Sequence, residues 1–386
     1  MYKLVADEKS IIQMVKQFAE KEIRPIAREA EEADEFPKEI IEKMKELGFF
    51  GLKVPVEYGG SEISSLGYAN VFEELSAVWM TSAGVIGTHS LVATVIANYG
   101  TPEQKEYYLP KMATGELWGG LGLSEPDAGS DVQSLKTVAK KEGDYYILNG
   151  SKTFITNAQY GNLLLVLAKT DPTAVPGAKG ISAFLVEKGT PGYTITKKME
   201  KLGYKGLDTS ELIFEDCAVH KSNLVGLEEG KGFTQVMSGL EVGRINVASR
   251  AVGVARAAFE EAVKYAQHRQ TFGKPIANHQ AIQLMLADMY TNIEAARHLV
   301  IAAAEKKDRG ERCDLEAGMA KLFASEMCVK VTMDAMRIHG GYGYSKEFIV
   351  ERLYRDAPLM IIGEGTSEIQ KLVIAKNLFK KYSINS

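Results

Sequence analysis

Apolar residues recur every three or four positions through the first part of the chain, with polar residues between them. Two such stripes are Ile11, Ile12, Val15, Phe18, Ala19 and Ile23, and then Ile40, Ile41, Met44 and Leu47, which Gly48 ends. Thr101-Pro102-Glu103-Gln104 adds a helix start, with a capping threonine, a proline at the first helical position and a glutamine suited to a capping box. This spacing predicts a helical bundle from residue 7 to about residue 115.

Short β-rich runs replace this pattern between residue 117 and about residue 230. They cover residues 145–148, 163–167, 181–186 and 211–214, and they are separated by glycine, proline and asparagine. Asn149-Gly150 predicts a hairpin. Because no stretch between the runs is long enough for a crossover helix, we predict an antiparallel sheet in a barrel or sandwich.

Long helical patterns return after Gly232, for example over residues 282–289 and 317–324, and four or five such helices would form a second bundle. The sequence therefore predicts an α+β fold with three domains. Residues 1–116 form an N-terminal α-helical domain, residues 117–230 a middle β-domain that is an antiparallel barrel or sandwich, and residues 231–386 a C-terminal domain of the four-helix-bundle type.

Composition and charge exclude several classes of protein. Of the 386 residues, 45% are hydrophobic and 25% charged, so a disordered or fibrous protein is not expected. A net charge of −4 gives no basic stripe for nucleic acid. Cys217, Cys313 and Cys328 lack CxxC spacing, which predicts neither a metal site nor a disulfide framework and fits a reducing cytoplasm. Without an apolar signal core or a run of membrane-spanning length, the chain is expected to be soluble, unprocessed and cytoplasmic.

The acidic residue with the most distinctive surroundings is Glu364, which lies between Gly363 and Gly365 just before a C-terminal helix. Flanking glycines let the backbone bend and let a bulky ligand approach the main chain. Thr366 and Ser367 are good N-cap residues for that helix. From these residues alone, Glu364 is either a solvated glutamate in a capping loop or a proton-abstracting base.

Three motifs in chain order resemble the signatures of the acyl-CoA dehydrogenase family. They are residues 121–131 (LGLSEPDAGSD), residues 152–157 (KTFITN), and Tyr354-Arg355-Asp356 running on to Glu364-Gly365-Thr366-Ser367. Further similar runs occur at residues 268–275, 279–280 and 339–343, so the resemblance covers essentially the whole chain. It implies a flavoenzyme with FAD between the β-domain and the C-terminal helices, built as a homotetramer.

The resemblance also assigns residues to the flavin. The loop over residues 121–130 would line it, together with a strand that has phenylalanine where tryptophan is more usual. Arg269, Thr271 and Phe272 would reach the FAD of a neighbouring subunit, although an arginine there could also complement a helix dipole. The implied FAD-binding residues are Leu121, Leu123, Ser124, Gly129, Ser130, Phe154, Ile155, Thr156, Arg269, Thr271, Phe272, Gln280, Arg337, His339, Gly340, Gly341, Thr366 and Glu368.

Other residues are assigned by the same resemblance to the acyl-CoA substrate. These are Ser130, Glu241, Arg244, Gly363 and Gly365. Some branched-chain and long-chain members carry the base at the position of Gly243, on the helix that we expect to begin at Glu241. Because that position is glycine here, Glu364 is the implied base unless Glu241 is turned inward. We interpret His89 as a packed or wall residue rather than a second catalyst.

The implied reaction removes two hydrogens from adjacent carbons of an acyl-CoA thioester. The thioester carbonyl acidifies the α-carbon, Glu364 takes the α-proton, and flavin N5 accepts the β-hydride to give a trans-2-enoyl-CoA. Electrons would then pass to an electron-transferring flavoprotein. Glycine at position 363, where many straight-chain members have tyrosine, favours a short-chain, short branched-chain or alicyclic acyl group. The alternatives are an oxygen-using flavin oxidase or monooxygenase, or a non-catalytic interaction protein, on the same fold.

Overall fold

The computed structural model describes residues 6–383, except the side chains of Ala6 and Lys197. Residues 1–5 and 384–386 lie outside the described residues. They include the outer ends of the first and last predicted domains and most of the N-terminal segment predicted to be unprocessed. Within residues 6–383 the elements are helical, then β, then helical again. This order confirms the predicted fold class.

The N-terminal helices of the described chain are α1 (Ala6–Phe18), α2 (Arg24–Ala33), α3 (Lys38–Glu46), α4 (Ser65–Val78), α5 (Met80–Tyr99) and α6 (Pro102–Thr114), with a π-helical turn (Ala19–Ile23) joining α1 to α2. The predicted capping box is present, since Gln104 N donates to Thr101 Oγ1 at 3.2 Å and Thr101 N donates to Gln104 Oε1 at 3.0 Å. After α6, Gly115 adopts a left-handed conformation with φ of 74°. These caps confirm the start of α6 and the end of the first helical part.

The middle part forms one curled sheet of seven strands within the described residues. They are β1 (Gly119–Gly122), β2 (Val138–Glu142), β3 (Tyr145–Thr156), β4 (Leu163–Lys169), β5 (Ile181–Glu187), β6 (Tyr193–Lys198) and β7 (Thr209–His220). Their order is β1-β4-β2-β3-β7-β6, with β5 also paired to β4. Most pairs are antiparallel as predicted, but β2 meets β4 in parallel at one residue pair and β1 runs parallel to β4. The β2–β3 hairpin lies between them in the chain, so this parallel pair needs no crossover helix.

The predicted hairpin at Asn149-Gly150 is wrong. Strand β3 runs through both residues, and the tight turn is instead at Gly143, which has φ of 62° between β2 and β3. Gly150 marks an irregularity in the pairing of β3 with β7. A Cβ at position 150 would lie 2.5 Å from Thr137 Oγ1, so glycine is needed for close approach within the sheet rather than for a turn.

The C-terminal part contains α7 (Gly232–His268), a small hairpin of β8 (Gln270–Thr271) and β9 (Lys274–Pro275), then α8 (Gln280–Asp308), α9 (Asp314–His339), α10 (Val350–Asp356), α11 (Leu359–Ile362) and α12 (Ser367–Lys381). The prediction that a helix begins at Glu241 is wrong, because α7 begins at Gly232. An apolar spacing that includes Val236 and Leu240, both buried, extends the helix toward its N-terminus. Glu241 and Gly243 therefore lie in the helix interior.

Helices α5 and α7 lie at the centre of the molecule. α7 packs against α4 and α5 on one side and α8 and α9 on another. α5 is the helix of the described chain that is long and apolar enough to cross a membrane, but most of it is buried in the fold. One hydrophobic core runs from the N-terminal helices into the C-terminal ones, including Val15, Phe72, Val252 and Met360. The two helical parts therefore support each other around α7.

Candidate active site

The loop between α11 and α12 holds Glu364 in an uncommon backbone conformation. Glu364 has φ of 52° and Gly365 has φ of 92°. Thr366 caps α12 as predicted, since Ile369 N donates to its Oγ1 at 3.3 Å. A left-handed glutamate costs about 1–2 kcal/mol, so the surrounding structure must impose this conformation.

Lys321 on α9 holds this loop in place. Its buried Nζ donates to the carbonyl oxygens of Ile361 at 3.1 Å and Gly365 at 2.7 Å. Gln370 Nε2 also donates to the Gly365 carbonyl, at 3.2 Å. Burial lowers the pKa of Lys321 to about 8. The sequence reasoning missed Lys321, although a lysine among the apolar residues of α9 is the kind of signal that could have found it.

The two carboxylate oxygens of Glu364 have different environments. Oε1 accepts a hydrogen bond from Arg250 Nη2 at 2.9 Å, whereas Oε2 is buried and has no hydrogen-bond partner in residues 6–383. Burial raises the pKa of Glu364, and the positive charges of Arg250 and Lys321 oppose that rise. A fixed carboxylate with one free oxygen and a raised pKa is suited to accepting a proton from carbon.

Gly243 on α7 leaves room for this carboxylate. A Cβ at position 243 would lie 2.2 Å from Glu364 Oε2, far inside normal contact distance. A side chain at 243 and the carboxylate of Glu364 therefore compete for the same space. The other candidate acid, Glu241, is turned elsewhere, since its Oε2 accepts from Lys307 Nζ at 2.8 Å. The geometry selects Glu364 over Glu241 as the candidate base.

Arg244, expected on the substrate side, is buried next to Gly243. Its Nη1 donates to Asp314 Oδ1 at 3.3 Å, and its Nε has no partner among the described residues. Gly363 and Gly365 flank the base itself, and a Cβ at Gly363 would meet only the Leu359 side chain and carbonyl within 4 Å. Four of the five predicted substrate-side residues therefore cluster around α7 and the Glu364 loop, while Ser130 lies on the β-domain.

The predicted flavin loop and the predicted flavin strand are adjacent. Glu125 and Ala128 exchange two backbone hydrogen bonds of 2.9 and 3.1 Å, which close the loop after β1. Thr153 N donates to the Ser124 carbonyl at 2.9 Å and joins that loop to β3. Beneath it, Lys152 Nζ donates to Glu125 Oε1 at 2.7 Å in a buried ion pair. Both charged residues lie within the family-like motifs, but the sequence reasoning assigned them no role.

The residues predicted to contact the flavin ring differ in exposure. Phe154 is 68% exposed, with φ of 59°. Ile155 faces the core of the sheet, so any flavin contact at that position would come from its backbone. Leu121, Leu123, Ser124 and Thr156 are half-buried, and Gly129 and Ser130 are exposed. An exposed aromatic ring beside a polar loop is compatible with a planar ligand at this surface.

A second cluster of predicted FAD residues lines a cavity of about 620 Å³ at the far end of α7. Arg269, Thr271, His339, Gly340 and Gly341 all contribute to its wall. No atom lies within 4 Å of a Cβ built on either glycine, so a ligand can approach the backbone there. His339 Nε2 is buried without a partner in the described chain. An arginine and open glycine backbone fit the pyrophosphate and adenosine end of FAD, while His339, whose Nδ1 donates to the Ala335 carbonyl at 2.8 Å, offers only its Nε2.

Four other predicted FAD residues lie outside this wall. Phe272 is 96% exposed at the tip of the β8–β9 hairpin. Gln280 is exposed at the start of α8, and Arg337 Nη1 donates to Asp334 Oδ1 at 2.7 Å. Glu368 is exposed on the first turn of α12. Within residues 6–383, one chain therefore brings together only some of the residues predicted to bind FAD.

His89 is a packed residue, as interpreted from the sequence. Gly119 N donates to its Nδ1 at 3.2 Å, and its Nε2 lies 3.0 Å from the Phe50 carbonyl, to which it donates. Burial lowers the pKa of His89 to about 4. Since both ring nitrogens are engaged, His89 joins α5 to β1 and is not available as a second catalyst.

Family models and known proteins match the chain over nearly its full length. The chain matches the models of three acyl-CoA dehydrogenase domains. The N-terminal domain matches over residues 6–116, the middle domain over 120–217 and the C-terminal domain over 230–379. The 3-(aryl)acrylate reductase of Clostridium sporogenes is 48% identical, covering 96% of this chain and 98% of that protein. The CarC subunit of the caffeyl-CoA reductase-Etf complex of Acetobacterium woodii is 45% identical, covering 97% and 98%. Butyryl-CoA dehydrogenase from Megasphaera elsdenii has a solved structure with a TM-score of 0.94 at 40% identity, covering 98% and 100%.

Proposed function

The chain belongs to the acyl-CoA dehydrogenase family of FAD-dependent oxidoreductases, and from that premise we propose that Glu364 is the base in the α,β-dehydrogenation of an acyl-CoA thioester. The observation that carries the proposal is Glu364 Oε2, a buried oxygen without a partner in residues 6–383. Arg250 fixes the other oxygen, so the free one can face an α-proton. The product would be a trans-2-enoyl-CoA.

FAD, when bound, supplies the acceptor for the β-hydride. We infer that Arg269, Thr271, His339 and the two glycines of the cavity would hold its pyrophosphate and adenosine end. The flavin loop and the strand with Phe154 would lie against its ring system. Arg244 and Ser130 would bind the substrate near its CoA part. These roles rest on the fit of the residues and on membership of the family.

We infer a short-chain or short branched-chain acyl group, since a butyryl-CoA dehydrogenase is 40% identical to this chain and glycine at position 363 places no side chain next to the proposed base. Two of the relatives described above are named as reductases. A protonated Glu364 could return its proton to the α-carbon in that direction, so the same geometry serves both. We propose an electron-transferring flavoprotein as redox partner, as the name of the caffeyl-CoA reductase-Etf complex suggests, and a homotetramer as assembly.

Replacing Glu364 tests the proposal. In Glu364→Gln, flavin content should remain near normal, whereas the rate at which butyryl-CoA bleaches the flavin under anaerobic conditions should fall about 10²- to 10⁴-fold. Glu326→Gln is the matched control, because Glu326 is exposed on α9 and lies outside the proposed site. A Glu364→Gln enzyme that bleaches as fast as the control would refute the assignment of the base.

A further inference from the structure

Arg250 is a buried cation in the interior of α7 whose hydrogen-bonding capacity is only partly used. Arg250 is only 6% exposed. Nη1 donates to Tyr204 Oη at 3.0 Å and Nη2 to Glu364 Oε1 at 2.9 Å, while Nε has no partner within residues 6–383. A guanidinium has five N–H donors, so more than half of its donors remain available.

Other polar atoms near Arg250 are also buried and unpartnered in the described structure. The hydroxyl of Tyr68 on α4 has Ser90, Asn246, Glu364 and Arg250 as its polar neighbours. Tyr68 Oη interacts with the side chains of Ser90 and Asn246, but Tyr68 Oη, Ser90 Oγ and Asn246 Oδ1 make no hydrogen bond of normal geometry within residues 6–383. Three of the groups, two hydroxyls and a guanidinium N–H, are donors, so the cluster is rich in donors.

Two glycines on α5 give room to side chains of this cluster. A Cβ at Gly84 would lie 1.6 Å from Tyr204 Oη, and a Cβ at Gly87 would lie 2.6 Å from Asn246 Nδ2. These glycines let the polar side chains approach α5 directly. The polar cluster and the base therefore share one region between α4, α5 and α7.

A purely hydrocarbon acyl group would leave this cluster unsatisfied. Each buried polar group without a partner costs about 1–3 kcal/mol, so a ligand that supplies acceptors is favoured over one that does not. The charges around Glu364 also favour a ligand that supplies acceptors. Arg250, Lys321 and Arg244 all face Glu364; Arg244 has a further carboxylate in Asp314, and Lys321 has those of Glu326 and Glu368 nearby. Once Glu364 accepts a proton, Arg250 loses its only described counterion.

We propose that the acyl group of the substrate ends in a carboxylate that binds Arg250, with the hydroxyls of Tyr68 and Tyr204 as further donors. This inference rests on the proposed function. The substrate is then the CoA monothioester of a short dicarboxylic acid. Guanidinium binds carboxylate through a planar fork, which a hydroxyl or a methyl group cannot match. The carboxylate also keeps Arg250 paired while Glu364 holds the α-proton. Proton and hydride transfer are unchanged, and the carboxylate stays on the product.

The test uses pairs of thioesters that differ only by a methyl group or a carboxylate at the chain end. They are butyryl-CoA with succinyl-CoA, and valeryl-CoA with glutaryl-CoA. For the FAD-loaded enzyme, kcat/KM for anaerobic bleaching should favour the carboxylate in at least one pair by about tenfold or more, as expected for a charge-assisted hydrogen bond. Arg250→Gln should abolish that preference, and Arg250→Lys should restore part of it. Arg309→Gln, at an exposed arginine, should keep it.

Binding is measured separately by calorimetry on the oxidised enzyme, with the unsaturated products 2-pentenoyl-CoA and glutaconyl-CoA. Tighter binding of glutaconyl-CoA that disappears in Arg250→Gln supports the inference. Equal or better use of the methyl-ended thioesters by the unmodified enzyme overturns it, even if the Arg250 variants fail to fold. Absence of bleaching with all four thioesters, while the binding preference persists, would instead count against the proposed reaction.

Discussion

The loop that carries Glu364 and the hairpin that carries Arg269 differ in how completely one chain builds them. Glu364 is fixed by Arg250, and its loop is held by Lys321, both of them buried. At the hairpin, Arg269 is exposed and Phe272 has 96% of its surface open. A large exposed aromatic ring marks a surface that is suited to further contacts.

This contrast separates two kinds of preorganisation. At the proposed base, the oxygen that we propose to react is held in place by the chain itself, so changes there should alter the rate per bound flavin. At the hairpin, the Arg269 side chain has no hydrogen-bond or ion-pair partner among residues 6–383, so changes there should alter retention of FAD. If the proposed homotetramer forms, burial of Phe272 by a neighbouring subunit would link cofactor retention to assembly.

Among the variants that test this contrast, Gly243→Ala should have the largest effect, because it disturbs the region that one chain already completes. The added methyl group would lie 2.2 Å from Glu364 Oε2 and would push the carboxylate aside. Displacement of a reacting group by about 1 Å can lower a rate 10²-fold. We expect the anaerobic bleaching rate to fall by about that factor while FAD content stays constant.

Gly318→Ala is the control for Gly243→Ala, because both glycines lie within long helices. A Cβ at Gly318 has its nearest atom at 3.5 Å, an ordinary contact. This variant should bleach normally and should be more stable than the original protein by about 0.5–1 kcal/mol. A normal bleaching rate in Gly243→Ala would show that the position of Glu364 is not sterically controlled from α7.

Arg269→Gln should act on the opposite side of the comparison. Loss of a charge-assisted hydrogen bond to pyrophosphate costs about 1.5–3 kcal/mol, so the affinity for FAD should fall about tenfold or more. Titration of the apoprotein with FAD measures this change. The bleaching rate per bound flavin should stay the same. Arg309→Gln should leave the affinity for FAD unchanged, and a rate defect in fully loaded Arg269→Gln would break the separation between the two regions.

Local features explain why the loop of the proposed base and its cap were predictable. The glycines around Glu364 and the capping residue Thr366 are neighbours in the chain, and the structure confirms the cap. What holds the carboxylate was not predictable in the same way, because Arg250 is 114 positions away. An arginine in an amphipathic helix has the same local signal whether it faces water or a buried acid.

Two errors in the predicted elements have a common cause. Asn149-Gly150 is a strong hairpin signal, but glycine also permits the close approach that β3 needs beside Thr137. The predicted start of α7 falls too late because it rests on the local motif of Glu241, Gly243 and Arg244. The apolar positions before that motif extend the helix. Both signals are local, whereas the correct choice depended on which segments pack nearby.

Lys321→Met should give the smallest effect, seen mainly as a change in pH dependence. Glu364 must be ionised to accept a proton, and its raised pKa places the acid limb of the kcat/KM profile above the ordinary glutamate value of 4.5. The charge of Lys321 lowers the pKa of Glu364, and removing it should move the acid limb to higher pH. Lys330→Met, at an exposed position of the same helix, should leave the limb in place. A limb that moves to lower pH, or does not move, would mean that Lys321 supports the loop only through its hydrogen bonds to Ile361 and Gly365.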